Sequence, residues 1–291
     1  MTKPLDLRQR FFFSNAPVRG DLVRLEQNGL LDEILGDKHY PEALKLLMSE
    51  LCAAAALLAS GYKMKGRLSV QLQGSGALNY AMAECSDTGE MRGVAGFDAA
   101  GFEHAKTAID ALGLLSNETG QSVIFLNIEP DQGERYQSIV ERVSDQLDEC
   151  LSHYLSQSMQ IQSFLVLAAS PLGAGGLLLQ KLPEDTGDQD AWQRSSVLAK
   201  TLKANELSEL PVSEILRRLY HEEDLNLPEP LQLRFGCQCS RERTLAALRQ
   251  LGEQQLNELF EADDLVQGKL SVECRFCGQS RLISRGELRT H

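Results

Sequence analysis

Leu68, Val70 and Leu72 alternate with Arg67, Ser69, Gln71 and Gln73, a period of two that predicts a half-buried strand. Gly74-Ser75-Gly76 follows as a turn and Leu78 to Cys85 as a partner strand, so a hairpin is expected here. Upstream, Pro41 suits the first turn of a helix. Its Ala43, Leu44, Leu47, Met48, Leu51 and Leu58 make a wide apolar face reaching Ser60-Gly61, and that helix is expected to pack on the sheet. Further strands are predicted at Arg8 to Phe13, Ser122 to Ile128 and Phe164 to Ala169, with a helix from Asp145 to about Gln157 behind a Ser144 cap. Gly173-Ala174-Gly175-Gly176 reads as a turn. Residues 1–182 are thus expected to form an α+β domain of sheet and helix.

The pattern changes in residues 183–230. From Glu184 to Pro230 there are eleven acids and five bases, a net charge of −6, half the excess of the whole chain. Val197, Leu198 and Leu202, then Ile215, Leu216, Leu219 and Tyr220, place apolar groups on one side of short helices, and Trp192, the only tryptophan, lies among them. Isolated helices shorter than about 12 to 15 residues are marginal in water, so these depend on docking and form a linker that can be released. The plainer alternative is an ordinary half-buried helical connector.

Residues 231–291 hold Cys237-Gln238-Cys239, then 34 residues, then Cys274-Arg275-Phe276-Cys277. Two close pairs can put four sulfurs on one ion, the tetrahedral shell zinc prefers, which makes Cys237, Cys239, Cys274 and Cys277 candidate ligands of one Zn2+. Between the pairs only Leu245, Leu248, Leu251, Leu256, Leu259 and Phe260 offer sizeable apolar groups, and Gly252 suggests a break between two helices. A module of this size with so small a core commonly needs a metal. Four thiolates around a divalent ion carry a formal charge of −2 and are the species oxidants attack, so a redox switch is chemically open beside the commoner, purely structural role.

Composition narrows the classes. Hydrophobic residues at 43% and charged residues at 24% fit a folded chain of 291 residues, more than one ordinary domain. The longest unbroken apolar run, Leu51 to Ala59, is nine residues, so no membrane span is expected. The net charge of −12 opposes a phosphate-binding surface; a static zinc ribbon contacting nucleic acid through Arg234, Arg241, Arg243 and Arg249 remains the runner-up. The first residues lack a secretory core, Phe11-Phe12-Phe13 being too short, so a cytoplasmic location with reduced thiols is expected. No Gly-x-x-x-x-Gly-Lys, Gly-x-Ser-x-Gly or His-Glu-x-x-His motif occurs, and no enzymatic activity is expected. Cys52, Cys85 and Cys150 match no metal spacing and are expected to be inert thiols; His39, His104, His153, His221 and His291 show no pairing.

Val18-Arg19-Gly20, Tyr40-Pro41, Gly66-Arg67-Leu68-Ser69-Val70-Gln71-Leu72-Gln73-Gly74, Ala83-Glu84-Cys85, Arg92-Gly93 and Cys237-Gln238-Cys239-Ser240-Arg241 run through most of the chain in that order. In this respect the sequence resembles the 33 kDa chaperonin family, redox-regulated bacterial holdases. The resemblance implies a reduced, inactive, zinc-bound state with Cys237, Cys239, Cys274 and Cys277 as ligands. It implies that oxidants such as hypochlorous acid form Cys237–Cys239 and Cys274–Cys277 disulfides, that zinc is released and the linker unfolds, and that the active form dimerises and binds unfolding client proteins without ATP. Thr244 stands where some relatives carry a further cysteine.

Overall fold

The computed structural model describes residues 6–61, 65–116, 120, 122–158, 160–183, 187–188, 190–261 and 265–288. The strands are β1 (Leu7–Phe13), β2 (Val18–Glu26), β3 (Gly66–Gln73), β4 (Leu78–Ser86), β5 (Glu90–Phe97), β6 (Val123–Pro130), β7 (Tyr136–Val140), β8 (Ser163–Ser170), β9 (Gly173–Lys181), β10 (Leu225–Asn226), β11 (Leu231–Gln232), β12 (Arg234–Phe235), β13 (Leu270–Glu273) and β14 (Ser280–Ile283). The helices are α1 (Asp32–Leu35), α2 (Glu42–Leu58), α3 (Ala108–Gly113), α4 (Leu147–Ser158), α5 (Ala191–Ala199), α6 (Ala204–Glu209), α7 (Val212–Tyr220), α8 (Arg241–Arg249), α9 (Glu253–Glu261) and α10 (Arg285–Leu288). They divide into two compact units, Met1–Phe235 and Gly236–His291, a mixed α+β architecture.

In the first unit α2 lies between two six-stranded sheets, ordered β10-β1-β2-β9-β8 with β11 also on β1, and β12-β5-β4-β3-β6-β7. Its core joins Val23, Leu25, Leu165 and Leu178 of one sheet to Leu68, Val70, Leu72 and Ala83 of the other. Sheets on both sides explain why α2 is apolar nearly all round, with Ala53–Ala56 fully buried. The predicted hairpin is present as β3 and β4, paired from Arg67↔Ser86 to Gln73↔Tyr80. By length and composition Glu42–Gly61 would suffice to cross a bilayer, but 83% of its apolar window is buried inside the protein, so that apolarity is spent on the core.

The C-terminal end of α2 needs donors for its last carbonyls. Arg8 Nη1 donates to Ala56 O at 2.8 Å and Arg10 Nη2 to Ser60 O at 2.6 Å. Asp21, 1% exposed, lies 3.1 Å from Arg10 Nε, 3.7 Å from Arg19 Nε and 4.0 Å from Arg8 Nε. The carboxylate thereby offsets part of the charge of three partly buried guanidiniums.

The other face of the first sheet is covered by α5, α6 and α7. Val212, Ile215, Leu216 and Leu219 form the inward face of α7, and with Leu207 and Tyr220 they pack on Phe11, Phe13, Leu22, Leu177 and Leu179. Tyr220 sits 5.8 Å from the Phe11 ring and 5.2 Å, edge on, from that of Phe13, and its hydroxyl donates to Ser195 O at 3.2 Å. The acidic segment is therefore docked, through short helices that rely on this sheet.

Gly173-Ala174-Gly175-Gly176 is not a turn but the start of β9, paired with β2 and β8 on either side. At Gly175 any Cβ would collide with the Leu207 carbonyl of α6, so the glycine admits the helix backbone against the strand. The composition of a turn here records close packing. Strands β2, β5, β7 and β9 were not read from the pattern. In β2 and β9 nearly every residue is buried, since helices cover both faces, and the two-residue alternation vanishes. Ser144 Oγ accepts from Gln146 N at 3.1 Å, just ahead of α4. Leu231–Gln232 and Arg234–Phe235 pair with β1 and β5, so residues placed with the tail by composition belong to the first unit, and the second begins at Gly236.

Candidate metal centre

In the second unit, β13 and β14 form a hairpin from Leu270↔Ile283 to Glu273↔Ser280. Its turn is closed by Cys274 N donating to Gln279 O at 3.0 Å and Gly278 N to Cys274 O at 2.8 Å. Gly278, at φ +69°, takes the left-handed conformation that lets the chain reverse while Cys274 and Cys277 face the same side. Cys237 and Cys239 precede α8, whose first turn is capped by Ser240 Oγ accepting from Arg243 N at 3.2 Å. A helix cap and a hairpin turn thus bring together residues separated by more than thirty positions.

All four sulfurs lie within 4.8 Å of one another. Cys237 and Cys274 Sγ are 3.7 Å apart, and Cys239 and Cys277 Sγ 3.4 Å. A disulfide would require about 2.05 Å, so these are free, half-buried thiols. Zinc–sulfur bonds of about 2.3 Å in a tetrahedron imply edges near 3.8 Å. The donor set and its spacing therefore fit one tetrahedral divalent ion. These two contacts run across the two sequence pairs, and a tetrahedron makes all six edges equivalent, so this geometry does not choose between disulfide pairings.

Arg281, which the sequence reading did not single out, completes the electrostatics. Its Nη1 donates to Cys239 Sγ at 3.4 Å, and its Nη2 to Cys239 O at 3.1 Å and to Gln279 Oε1 at 2.7 Å. Burial raises the Cys239 thiol, but hydrogen bonds from Cys277 and Arg281 outweigh it and bring Cys239 down to about 7. Cys277 is pushed up to about 12 by burial and by its thiol neighbours. The first thiolate is thus favoured at Cys239, beside a fixed cation. The signal available in sequence was an arginine on the strand following the second cysteine pair, which is too common to read without the fold.

Among the described residues of this unit only Leu248 and Ile283 are buried apolar side chains, and α9 buries none. The apolar core between the cysteine pairs is as small as the sequence pattern implies. Cys52, Cys85 and Cys150 are buried in the first unit, and none belongs to the four-cysteine group. Burial pushes Cys52 and Cys85 up to about 12, and Cys150 Sγ donates to Ser144 O at 3.3 Å. None of His39, His104, His153 and His221 joins a metal-binding set, and His291 lies outside the described residues.

The model of the Hsp33 protein family matches residues 6–284. The chain is 38% identical over 274 residues to a 33 kDa chaperonin of Chromobacterium violaceum, covering 94% of this chain and 89% of that protein. It is 38% identical over 288 residues to a 33 kDa chaperonin of Pseudomonas aeruginosa, covering 97% and 93%. The crystal structure of the 33 kDa chaperonin of Thermotoga maritima superposes with a TM-score of 0.78 at 21% identity over 97% of this chain and 96% of the other, a likeness of fold.

Proposed function

The chain belongs to the Hsp33 family, and from that premise we propose that it is a cytoplasmic, ATP-independent holdase chaperone switched on by oxidation. The observation that carries the reading is the convergence of four thiols in a unit whose described residues bury two apolar side chains. Cys237, Cys239, Cys274 and Cys277 hold one Zn2+ in the reduced state. Bound there, the ion supplies the crosslinks that a hydrophobic core supplies elsewhere.

Oxidation acts on the cysteines. Two thiolates, one hypochlorous acid and one proton give a disulfide, chloride and water, a two-electron step that occurs once at Cys237–Cys239 and once at Cys274–Cys277. The paired sulfurs then lack the thiolate charge that binds a cation, and the unit from Gly236 onward loses its organising crosslinks. Cys237 lies two residues beyond the end of β12, which like β10 and β11 is only two residues long. Loss of order beyond Gly236 removes the anchor on those strands, and with them the closure of α5–α7. Release of those helices uncovers Phe11, Phe13, Leu22 and Leu177, an apolar sheet face able to hold unfolding clients by non-directional burial. The same surface lets the active form associate with a second copy.

Titrating the zinc-loaded, reduced protein with hypochlorous acid tests this. Zinc release, loss of amide protection over 191–220 and suppression of client aggregation are expected to advance together. Full suppression with the metal retained would overturn the reading.

The zinc-ribbon alternative fares less well on the arginines it requires. Arg241 is engaged with Glu287 Oε1 and Leu282 O, Arg249 with Glu287 O, and Arg243 with Gln238 Oε1. Arg234 is paired with Glu90 at 3.3 Å. The charges of Arg234 and Arg241 are thus offset by carboxylates, and the donors of Arg243 and Arg249 are in part occupied within the chain.

A further inference from the structure

We propose that a cavity beside Glu50 in the first unit binds a small primary ammonium cation carrying a short alkyl body. The cavity has a volume of about 180 Å³, opens to solvent and is lined by α2, α3, the start of α4, β8 and the first residue of α6. That is room for about six waters at their ~30 Å³ share of the liquid, or for a four-carbon amine in their place.

Its walls divide by chemistry. Leu47 and Leu112 supply apolar surface, while Glu50, Asp145 and Asp148 supply carboxyls, and no lysine, arginine or histidine lines it. Two of the three acids are already engaged. Asp145 pairs with Arg142 Nη2 at 2.7 Å, and Asp148 accepts from Glu149 N at 2.9 Å and Leu167 N at 3.3 Å. The Glu50 carboxyl has no hydrogen bond or ion pair among the described residues and is set into the same space. Glu50 is half-buried, and a carboxylate partly withdrawn from water without a partner is stabilised by a charged donor. Burial, then the nearby Asp148 charge, pushes Glu50 up to about 8. Divalent metals are the poorer fit, because among the described residues only the four cysteines bring three or more ligand atoms together. An ammonium needs one carboxylate and leaves its alkyl part to the leucines.

The chemistry fixes a signature. Glu50 is protonated at pH 7, so an ammonium that pairs with its carboxylate expels that proton to solvent. Binding should release close to one proton per site and tighten about tenfold from pH 6 to pH 7. Because Ala204 forms part of the wall, occupancy should also slow amide exchange in α6.

Isothermal titration of the full-length, reduced, zinc-loaded protein with n-butylammonium chloride, in two buffers of different ionisation enthalpy, reads all of this. The expected result is saturable binding with proton release, at least tenfold weaker for n-butanol and for the near-isosteric Glu50→Gln variant, whose thermal midpoint reports its fold. No saturation on the order of tens of millimolar, butanol binding as tightly as the amine, or a folded Glu50→Gln that binds equally well would each overturn the proposal.

Discussion

At the scale of single residues, the groups that decide behaviour are those whose charge is buried. Asp21 is 1% exposed among Arg8, Arg10 and Arg19. Removing one partner of such a set leaves uncompensated charge, which costs about 3–5 kcal/mol. Asp21→Ala should accordingly lower stability by that order in urea unfolding; a loss below about 1 kcal/mol, the range of surface pairs, would show the cluster to be solvated. Glu50 acts in the opposite sense. Its carboxyl titrates near 4.5 when unfolded and about 8 when folded, so the folded state holds the extra proton between those values. Stability then falls as pH rises through that window, by at most about 1.4 kcal/mol per unit, and levels off above it. Glu50→Gln should remove that slope, so the stability difference between parent and variant should grow between pH 5.5 and pH 7.5; a constant difference would contradict the assignment. The four cysteines were legible because their spacing is local and their chemistry restrictive. Asp21, Glu50 and Arg281 were not, because their meaning comes from neighbours distant in sequence.

At the scale of elements, the docked helices α5–α7 are the least self-sufficient part of the first unit. Each is nine residues or fewer, below the length at which an isolated helix holds its shape in water. Their ion pairs are exposed: Arg194 pairs with Asp188 at 2.8 Å and Glu223 at 2.6 Å, and Arg218 with Glu206 at 2.6 Å and Glu214 at 2.8 Å. Pairs of that kind contribute about 0–1 kcal/mol and fade with salt. The apolar face must carry the docking, with Tyr220 between Phe11 and Phe13 at its centre. Truncating a large buried aromatic costs about 3–5 kcal/mol. Tyr220→Ala is therefore expected to release α5–α7 while the zinc site stays intact, giving faster amide exchange over 191–220 and client binding without oxidant; a variant that remains protected and inactive would place the docking energy elsewhere. The amphipathic stripe of α7 was visible in sequence since one face is wet. Strands β2 and β9 were hidden for the converse reason: Leu177, Leu178 and Leu179 are consecutive, and successive side chains enter the linker-side core and the α2-side core in turn.

At the scale of the whole molecule, the two units obey different stability laws. The first contains two sheets, a central helix and two extensive apolar clusters. The second buries Leu248 and Ile283, worth about 3–6 kcal/mol together. Ordering roughly fifty residues costs tens of kcal/mol in backbone entropy, so hydrogen bonds and two side chains cannot carry the unit unaided. Structural zinc in small modules contributes about 10–16 kcal/mol at neutral pH, more than the two buried side chains supply together. Composition made this imbalance legible in advance, although the border at Gly236 was not, because β11 and β12 are too short for any pattern and are defined by their partners β1 and β5. Chelating the metal from fully reduced protein separates metal loss from disulfide formation. Amides across 237–283 should lose protection while those of β3, β4 and β6 keep it, and restoring zinc should reverse the change. Retained protection across 237–283 would mean that the thiols are passengers on a fold that holds itself, and would leave oxidation with no element to release.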